Sequence, residues 1–306
     1  MSSPNVRASF HVSPLRYPGG KAKLAPYFKA LVRQNKLLDG VYIEPFAGGG
    51  GVGLCLLLHG YVNRIFLNDL SAPIFSFWKA LLDEPERFQK RILDIPLTTD
   101  EWINQRKIFQ EANGEISFET GFATFFLNRT NHSGVLNGGM IGGHGQKSAY
   151  GLDARFNKNE LAARVRRIAK NRHNISILNL DAAELIENCQ SIADEKSPLV
   201  YIDPPYFRKG RELYYDFFES KDHERLRDVI SGLSGQVKWV VSYDNEPEIV
   251  DLYQAYDKLE YNLNYSVRNG RVGKEVMFFS DCVAPVSLEM GGLQALDTSS
   301  QFELAV

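Results

Sequence analysis

A strand–glycine turn–helix–strand unit near the start of the chain most constrains its fold. Val41-Tyr42-Ile43 is a short apolar run of the strand type, the glycines Gly48–Gly51 follow it, and Val52–His59 has the pattern of a helix. A second apolar run, Arg64–Leu67, ends in Asn68-Asp69. This order opens a doubly wound sheet, in which ligands bind at the carboxyl ends of the parallel strands. The chain is therefore predicted to be an α/β protein.

The alternation of strands and helices is interrupted after this unit. The apolar spacing from Ser71 to Phe126 is helical, Arg129–Asn157 is a glycine-rich loop region, and Asn159–Arg172 has the pattern of a basic helix. Strand patterns then return at Ile175–Leu178, Leu199–Ile202, Val237–Ser242 and Lys274–Ser280. We therefore predict an α/β catalytic and cofactor domain formed by residues 1–70 and 174–285, a helical insertion at 71–173, and a flexible tail at 286–306.

Composition excludes several classes of protein. The chain has 306 residues, of which 44% are hydrophobic and 24% charged, and this is ordinary globular composition. Its three cysteines, Cys55, Cys189 and Cys282, are far apart and show no CxxC spacing, which argues against a disulfide framework or a zinc site. No secretory signal pattern precedes the first helix, and no apolar run is long enough to span a bilayer. We expect a soluble cytoplasmic protein without a metal centre.

The basic residues are concentrated in one stretch. The net charge of the chain is −2, so the protein as a whole is not a polycation. Between Arg129 and His173, however, nine lysines and arginines stand against two acids. Such a local excess suits contacts with phosphates, although a solvated helix face has the same pattern. If the protein binds nucleic acid, this stretch is where we expect the contact.

The glycine turn after the first strand predicts a nucleotide-like ligand. Glycines here let the backbone approach a ligand closely at the start of a helix. Gly48, Gly50 and Gly53 satisfy G-x-G-x-x-G, and Asp69 follows the second strand at a distance that suits a pair of ribose hydroxyls. These features alone also fit a dinucleotide site or a simple tight turn. The preceding Glu44-Pro45-Phe46-Ala47 extends the pattern to F-x-G-x-G, which is typical of a turn that binds S-adenosylmethionine.

A second motif ends the strand Leu199–Ile202. Asp203-Pro204-Pro205-Tyr206 follows this strand at once, and two prolines must end it because proline donates no hydrogen bond to a sheet. A carboxylate, a rigid carbonyl and an aromatic ring are thereby delivered together at the carboxyl edge of the sheet. An ordinary proline-rich turn is the alternative.

The order of the motifs resembles one enzyme family. Tyr17-Pro18-Gly19-Gly20-Lys21 precedes the Phe46–Gly50 turn, a helical insertion follows, and Asp203–Tyr206 comes last. This order resembles the Dam-like (D12 class, alpha arrangement) DNA adenine N6-methyltransferases, over roughly the whole span from Leu15 to Phe279. The segment Asn128–Gly134 looks like that family's asparagine–arginine turn, and Lys274–Phe278 like its closing strand. The resemblance implies a Rossmann-like, S-adenosylmethionine-dependent methyltransferase sheet with a mostly helical inserted DNA-recognition domain.

The resemblance also implies roles for individual residues. The implied cofactor residues are Tyr17, Lys21, Glu44, Phe46, Gly48, Gly50, Asp69, Asp181 and Asp203. The implied catalytic residues are Asp203, Pro204, Pro205 and Tyr206. Among them, Asp69 would accept from both ribose hydroxyls, and Asp181 from the adenine amine of the cofactor. An acid at position 181 would equally cap the helix that begins at Ala182.

The residue chemistry agrees with transfer to an amine. The Asp203 carboxylate and the Pro204 carbonyl are two acceptors that would hold both N–H groups of an exocyclic amine, while Tyr206 offers a face to a base taken out of the duplex. No cysteine follows a proline, as the carbon-5 methylation of cytosine would normally require. Candidate DNA contacts are Arg129, Asn131, His132, His144, Gln146 and Lys147, most of them in a glycine-rich loop that we expect to be mobile and to order on DNA.

We therefore expect an adenine N6-methyltransferase that acts on double-stranded DNA with S-adenosylmethionine. A cognate restriction endonuclease is a possible partner, and a monomer is favoured. The alternatives are an N4-cytosine DNA methyltransferase, a methyltransferase for RNA or a protein amide, and a non-catalytic DNA-binding protein with a degenerate cofactor site.

Overall fold

The structure is a computed structural model that describes residues 12–16, 21–193, 197–207, 218–233, 235, 237–264 and 272–295. Its centre is a seven-stranded sheet with the order β3-β2-β1-β4-β5-β7-β6. The strands are β1 (Gly40–Glu44), β2 (Val62–Asn68), β3 (Ile175–Leu178), β4 (Leu199–Ile202), β5 (Lys238–Asp244), β6 (Asp257–Asn264) and β7 (Val272–Phe279). Strands β1 to β5 pair in parallel, and β7 runs antiparallel to β5 and β6. The carboxyl ends of the first five strands therefore meet at one edge.

Helices cover the sheet and form the long connection between β2 and β3. The α-helices are α1 (Ala25–Gln34), α2 (Gly51–Leu58), α3 (Ala72–Asp83), α4 (Pro85–Asp94), α5 (Thr99–Glu111), α6 (Phe118–Thr130), α7 (Lys158–Ala169), α8 (Ala182–Glu187), α9 (Cys189–Ile192), α10 (Ser220–Ser231) and α11 (Pro247–Leu252). Short 3₁₀ helices span Lys21–Leu24, His132–Gly134, Leu152–Arg155 and Arg172–Asn174. None of the helices in the described ranges is long and apolar enough to cross a membrane.

The sheet has an apolar core on each face. Neighbouring residues of a strand point to opposite faces, so the fully buried strand β1 contributes to both cores. Tyr42 packs in the core that also contains α1, α2 and the inserted helices, whereas Val41 and Ile43 pack in the core beneath α8, α10 and α11. A continuous apolar run such as Val41–Ile43 is what a strand covered on both faces requires.

Phenylalanine side chains hold the inserted helices together. Phe77, Phe88, Phe122 and Phe125 are fully buried and meet in edge-to-face and stacked pairs with ring centroids 5.3–6.1 Å apart. The large apolar residues at helical spacing between Ser71 and Phe126 are buried, and they include Trp78, Leu81, Leu82, Phe88, Trp102, Phe109, Phe122 and Phe126. Because this core is continuous with that of the sheet, the insertion packs as part of one body. The domain division at residues 71 and 173 stays a prediction.

Two features of the carboxyl-terminal third differ from the sequence analysis. Strand β6 (Asp257–Asn264) is absent from our sequence predictions, although Leu259, Tyr261 and Leu263 alternate with polar residues in the pattern of a half-buried edge strand. The start of the expected flexible tail is packed: Val286 is 1% exposed, and Asn262 of β6 bridges to Gln294. Val286 lies against α1, where its amide donates to the Tyr27 hydroxyl (3.3 Å). The flexibility of the tail at 286–306 stays a prediction.

Candidate active site

The glycine turn connects the carboxyl end of β1 to α2 and lies beside Asp69, which follows β2. Gly50 has a φ of +57°, and a Cβ there would lie 2.9 Å from Cδ1 of Leu67, so only glycine fits without strain. The amide of Gly48 donates to Oδ2 of Asp69 (2.9 Å), and the indole of Trp78 donates to the Gly48 carbonyl (2.9 Å). Asp69 therefore lies directly beside the turn, as the sequence predicted. Its other carboxylate oxygen accepts from the amide of Ser71 (3.0 Å).

Asn68 fixes the strand ends that carry this turn. Its side chain is fully buried, and its amide donates to the carbonyls of Pro45 (2.9 Å) and Leu180 (3.0 Å). Its side-chain oxygen accepts from the Leu180 amide (2.9 Å). One amide thus ties together the segments that follow β1, β2 and β3, which is why the predicted ligand residues of these strands share one site.

Glu44 lies beneath the glycine turn. Only 4% of the residue is exposed, and Oε1 accepts from the Tyr42 hydroxyl (2.9 Å) and from the Gly53 amide (2.8 Å). Burial raises the pKa of Glu44 to about 8, against the opposing effect of the two hydrogen bonds. The structure thus gives Glu44 a role in fixing the turn, and direct contact with a cofactor stays a prediction.

Asp203 stands at the end of β4, beside the glycine turn that follows the neighbouring strand β1. Its Oδ1 accepts from the hydroxyl of Ser242 (2.7 Å), which in turn lies 2.8 Å from the hydroxyl of Tyr201. The side chain is 24% exposed, whereas Ser242 is fully buried. Burial raises the pKa of Asp203 to about 6, although Lys21 and the Ser242 hydroxyl oppose the shift. Oδ1 of Asp203 is thus held on its buried side by Ser242, and the exposed part of the carboxylate faces the site.

A buried lysine completes the charged part of the site. The ammonium of Lys21 lies 2.6 Å from Oε2 of Glu275 and 3.6 Å from Oδ1 of Asp203. It also lies 3.4 Å from the Tyr206 hydroxyl and 4.9 Å from the centroid of that ring. The structure therefore brings Lys21, Asp203 and Tyr206 together, as the sequence analysis expected. Tyr17 lies outside the described residues.

The Asp-Pro-Pro-Tyr turn is fixed from β5. Oδ1 of Asp244, the last residue of β5, accepts from the Phe207 amide (3.1 Å). Pro204 is buried, and Tyr206 is only 6% exposed, with the Lys21 ammonium over one face of its ring. Stacking of a base on Tyr206 stays a prediction.

An aromatic cluster adjoins the turn. The Phe46 ring meets Phe218 at 5.6 Å, and both Phe207 and Phe218 pack against His223 at 5.3 Å. His223 is 1% exposed and bonds through Nδ1 to the Tyr243 hydroxyl (2.9 Å). Burial lowers the pKa of His223, so the ring is neutral at physiological pH. Phe46 thus belongs to an apolar wall beside the glycine turn.

Asp181 takes the capping role that the sequence left open. Its Oδ1 accepts from the amides of Ala183 (3.0 Å) and Glu184 (3.3 Å) at the start of α8. The same oxygen lies 3.1 Å from the guanidinium of Arg225 in α10. Contact between Asp181 and a cofactor adenine stays a prediction.

Three of the six candidate DNA contacts have structural roles. Asn131 is fully buried; its oxygen accepts from the Trp102 indole (2.8 Å), and its amide donates to the carbonyls of Val135 and Leu136 (both 2.9 Å). This pairing argues against a contact between Asn131 and DNA. Arg129 donates to the Arg155 carbonyl (2.7 Å from Nε), so its guanidinium fastens the end of the loop.

Gln146 closes the glycine-rich loop on itself. Its amide donates to the carbonyls of Ile141 and Gly143 (both 2.8 Å), and its oxygen accepts from the Leu152 amide (3.0 Å). The loop expected to be mobile therefore has a defined, internally bonded conformation. His132, His144 and Lys147 are exposed, and they stay the candidates for DNA contact.

Asn128 connects this loop to the cofactor side of the site. Its side chain is 1% exposed, accepts from the Arg16 amide (2.7 Å) and donates to the carbonyls of Arg16 and Gly134 (both 2.9 Å). A Cβ at Gly134, which has a φ of +78°, would overlap the Arg16 carbonyl. The asparagine–arginine turn is thus a clamp on the segment that precedes Lys21.

The basic stretch of 129–173 divides between two ends of the molecule. Arg129 and Arg155 lie next to each other at the glycine-rich loop, to which Arg16 also bonds through the Asn131 carbonyl. Arg172 directly precedes β3, so it lies at the amino edge of the sheet, opposite the edge that carries Asp69. The single basic patch expected from the sequence is therefore not one surface.

Sequence reasoning missed the residues that support Asp203. Ser242 and Glu275 lie within strands β5 and β7 and belong to no sequence motif. A polar residue inside an otherwise apolar strand was the signal: Ser242 interrupts Val240-Val241 and Tyr243, and Glu275 precedes Val276-Met277. Only the pairing of β5 with β7 shows that both face Asp203 and Lys21.

Known proteins and one family model are similar to this chain. Two solved structures of the rRNA methyltransferase aviRa from Streptomyces viridochromogenes are similar to the chain with TM-scores of 0.38; the first is 13% identical and covers 92% of this chain and 88% of its own, and the second is 14% identical and covers 86% of each. The Type II methyltransferase M.CviBI of Paramecium bursaria Chlorella virus NC1A is 21% identical over 271 residues, which are 86% of this chain and 95% of the relative. The family model of the D12 class N6 adenine-specific DNA methyltransferases matches residues 17–267, a span that contains the glycine turn and the Asp-Pro-Pro-Tyr motif. The chain belongs to this family of DNA methyltransferases.

Proposed function

We propose that this protein transfers a methyl group from S-adenosylmethionine to the N6 amine of adenine within a specific sequence of double-stranded DNA. The observation that carries the proposal is the position of Asp203. It is a carboxylate at the carboxyl end of β4, next to the glycine turn of β1, and it is held on one side by Ser242 and Lys21. The family match supports an adenine-specific DNA substrate.

The residues around the turn fit the proposed cofactor. The glycines leave no side chain between the backbone and a ligand, and Asp69 offers acceptor oxygens for a ribose. Phe46 and its aromatic neighbours form an apolar wall beside the turn. A dinucleotide bound at the same turn would leave the Asp-Pro-Pro-Tyr motif without a role. When bound, S-adenosylmethionine supplies an electrophilic methyl group on a sulfonium.

Asp203 and Pro204 are proposed to hold the amine. An adenine amine is a weak nucleophile because its lone pair is delocalised into the ring. Acceptance of its two N–H groups by the Asp203 carboxylate and the Pro204 carbonyl favours a more pyramidal nitrogen and frees the lone pair. Proline at both following positions fixes the carbonyl. The ionised carboxylate also stabilises the positive charge that develops on nitrogen, and positioning supplies much of the remaining rate gain.

The target base has to leave the duplex to reach this site. A base stacked in the helix cannot approach a carboxylate whose side chain is only 24% exposed, so base flipping is part of the proposal. Tyr206, whose ring lies beside Lys21 at the end of the motif, is proposed to stack on the flipped base. The exposed His132, His144 and Lys147 are proposed to contact the surrounding DNA.

We also propose the cellular setting. The viral relative is named as a Type II methyltransferase, and this favours a cognate restriction endonuclease as a partner. The proposed active form is a cytoplasmic monomer that acts on duplex DNA.

Transfer of a labelled methyl group tests the proposal. Purified protein is incubated with methyl-labelled S-adenosylmethionine and plasmid DNA from a methylation-deficient host, and the DNA is digested to nucleosides. The account predicts label in N6-methyldeoxyadenosine. Label in N4-methyldeoxycytidine, label only in RNA offered in parallel, or no transfer at all would each contradict the proposed reaction.

A further inference from the structure

A buried group of three ionisable side chains lies under the proposed amine site. Lys21 precedes α1, Asp203 follows β4, and Glu275 lies in β7, directly opposite Asp244 of β5. Strands β5 and β7 are antiparallel neighbours, so the side chain of Glu275 reaches the carboxyl edge from a strand that runs in the opposite direction. Three distant parts of the sequence therefore meet at one point.

The distances within this group are unequal. The Lys21 ammonium is 2.6 Å from Glu275 but 3.6 Å from Asp203. The side chains of Lys21 and Glu275 are 3% and 2% exposed, whereas that of Asp203 is 24% exposed. The shorter ion pair, between Lys21 and Glu275, is thus the more buried one. Asp203 lies farther from the ammonium and is more exposed to the site. A charge-assisted hydrogen bond at 2.6 Å is of the strong, short type.

We propose that Glu275 is a positioning residue for methyl transfer, which holds the ammonium of Lys21 and so keeps the Asp203 carboxylate available to the substrate amine. This inference rests on the proposed function of the site. Among the described residues, Asp203 would then be the nearest anion for the buried ammonium. A close Lys21–Asp203 pair would neutralise much of the charge of this carboxylate and weaken it as an acceptor for the amine.

The surroundings of the group make its charge balance sensitive to Glu275. The titratable side chains that face it from the packed elements are Tyr42 and Glu44 of β1, Tyr201 of β4, Tyr206, Tyr243 of β5 and Tyr261 of β6. Burial raises the pKa of each of these four strand tyrosines, so they are neutral across the pH range of the reaction. Glu275 raises the pKa of Asp203 and Lys21 lowers it. Loss of the Glu275 charge is therefore expected to lower the pKa of Asp203.

The test is the pH dependence of single-turnover methylation in the full-length protein. The acid limb, where activity falls as Asp203 is protonated, is measured for the wild type and for Glu275→Gln, Glu275→Asp and the control Glu260→Gln. The Gln variant keeps the shape but not the charge, and its limb is expected to move to lower pH by about one unit. Its rate on the plateau is expected to fall about tenfold, because a carboxylate held by the lysine is a weaker acceptor. Glu275→Asp keeps the charge with a shorter reach and is expected to show a smaller shift.

The control makes the same chemical change on the neighbouring strand. Glu260 of β6 pairs with Lys258 (2.8 Å) at the surface, so Glu260→Gln is expected to leave both limb and rate unchanged. An unshifted limb in folded Glu275→Gln, or an equal shift in Glu275→Asp, would overturn the inference. If Glu275→Gln does not fold, a Glu275→Asp variant with the wild-type limb and rate would overturn it. A wild-type protein that methylates no DNA at any pH would instead refute the proposed function.

Discussion

At the scale of single residues, burial decides which side chains take part in the chemistry. Asp203 and Glu44 are both carboxylates at the carboxyl edge, but Glu44 is almost fully enclosed and serves two donors of the fold. Asp203 is one-quarter exposed and is bonded only on its buried side. The difference in exposure separates a structural acid from one that can meet a substrate.

The pKa of Asp203 predicts an acid limit for the reaction. Because burial raises this pKa to about 6, the carboxylate is ionised above that value and neutral below it. Only the ionised form both accepts a hydrogen bond from the amine and stabilises the positive charge that develops on its nitrogen. The value of kcat/KM for DNA is expected to be constant above pH 7 and to fall as the pH drops through about 6. A rate that persists unchanged to pH 4.5 would contradict the role of Asp203.

Glu44 gives a prediction about stability. A glutamate in the unfolded chain has a pKa of about 4.3, whereas burial raises the pKa of Glu44 in the folded protein to about 8. Between these two pKa values the folded state binds one more proton than the unfolded chain. The stability that this proton contributes is full below the unfolded pKa and is lost as the pH rises toward 8. Glu44→Gln removes this dependence. Its free energy of unfolding relative to wild type is expected to increase by roughly 2–5 kcal/mol between pH 5 and pH 8. Urea denaturation at the two pH values measures the difference, and an equal offset at both would be inconsistent with a protonated Glu44.

At the scale of elements, the sequence predicts the short apolar strands at the centre of the sheet and leaves out the edge strand. The strands Ile175–Leu178 and Leu199–Ile202 were predicted to the residue, because a short apolar run bounded by polar residues or proline permits little else. The edge strand β6 has the alternating pattern of a half-buried strand, but it contains no motif and lies outside our sequence predictions. The sequence makes Asn131 a candidate DNA contact because an asparagine suits an adenine edge, whereas in the fold its side chain bonds to Trp102 and to two carbonyls.

The clamp formed by Asn128 can be tested at this scale. Asn128→Ala removes three buried hydrogen bonds to Arg16 and Gly134, which join α6 to the segment before Lys21. Each buried group left without a partner costs free energy, so a loss of roughly 2–4 kcal/mol in stability is expected. The matched variant Asn171→Ala removes one helix-end bond to Arg167 at the surface and should lose less than about 1 kcal/mol. Chemical denaturation measures the free energy of unfolding of both variants. Equal losses would show that the Asn128 clamp does not contribute more to stability than a surface hydrogen bond.

At the scale of the whole molecule, the two edges of the sheet have different surfaces. The carboxyl edge carries Asp69 and Asp203 and is joined through Arg16 to the loop with His132 and Lys147. The far end of α7 and the following turn carry the exposed Arg166, Arg167 and Arg172 toward the amino edge. Charge counted along the sequence merged these surfaces, because spatial separation is visible only in the fold.

This separation predicts different salt dependences of DNA binding. Lys147→Ala and Arg167→Ala each remove one exposed positive charge. If DNA lies on the carboxyl edge, Lys147→Ala should reduce the slope of log affinity against log salt by about 1, and Arg167→Ala should leave it nearly unchanged. Fluorescence anisotropy with a short labelled duplex measures both slopes. A larger change for Arg167→Ala would place the DNA on the other edge.

The central claim is that this chain methylates adenine in DNA through Asp203. Its most direct test is methylation-sensitive sequencing of DNA from cells that express either the wild type or Asp203→Ala, from a host without adenine methylation of its own. The account predicts N6-methyladenine at one recurring sequence with the wild type and none with Asp203→Ala, while the purified variant still binds the cofactor. Absence of modified adenine with the wild type, modification of cytosine instead, or an unchanged pattern with Asp203→Ala would contradict it.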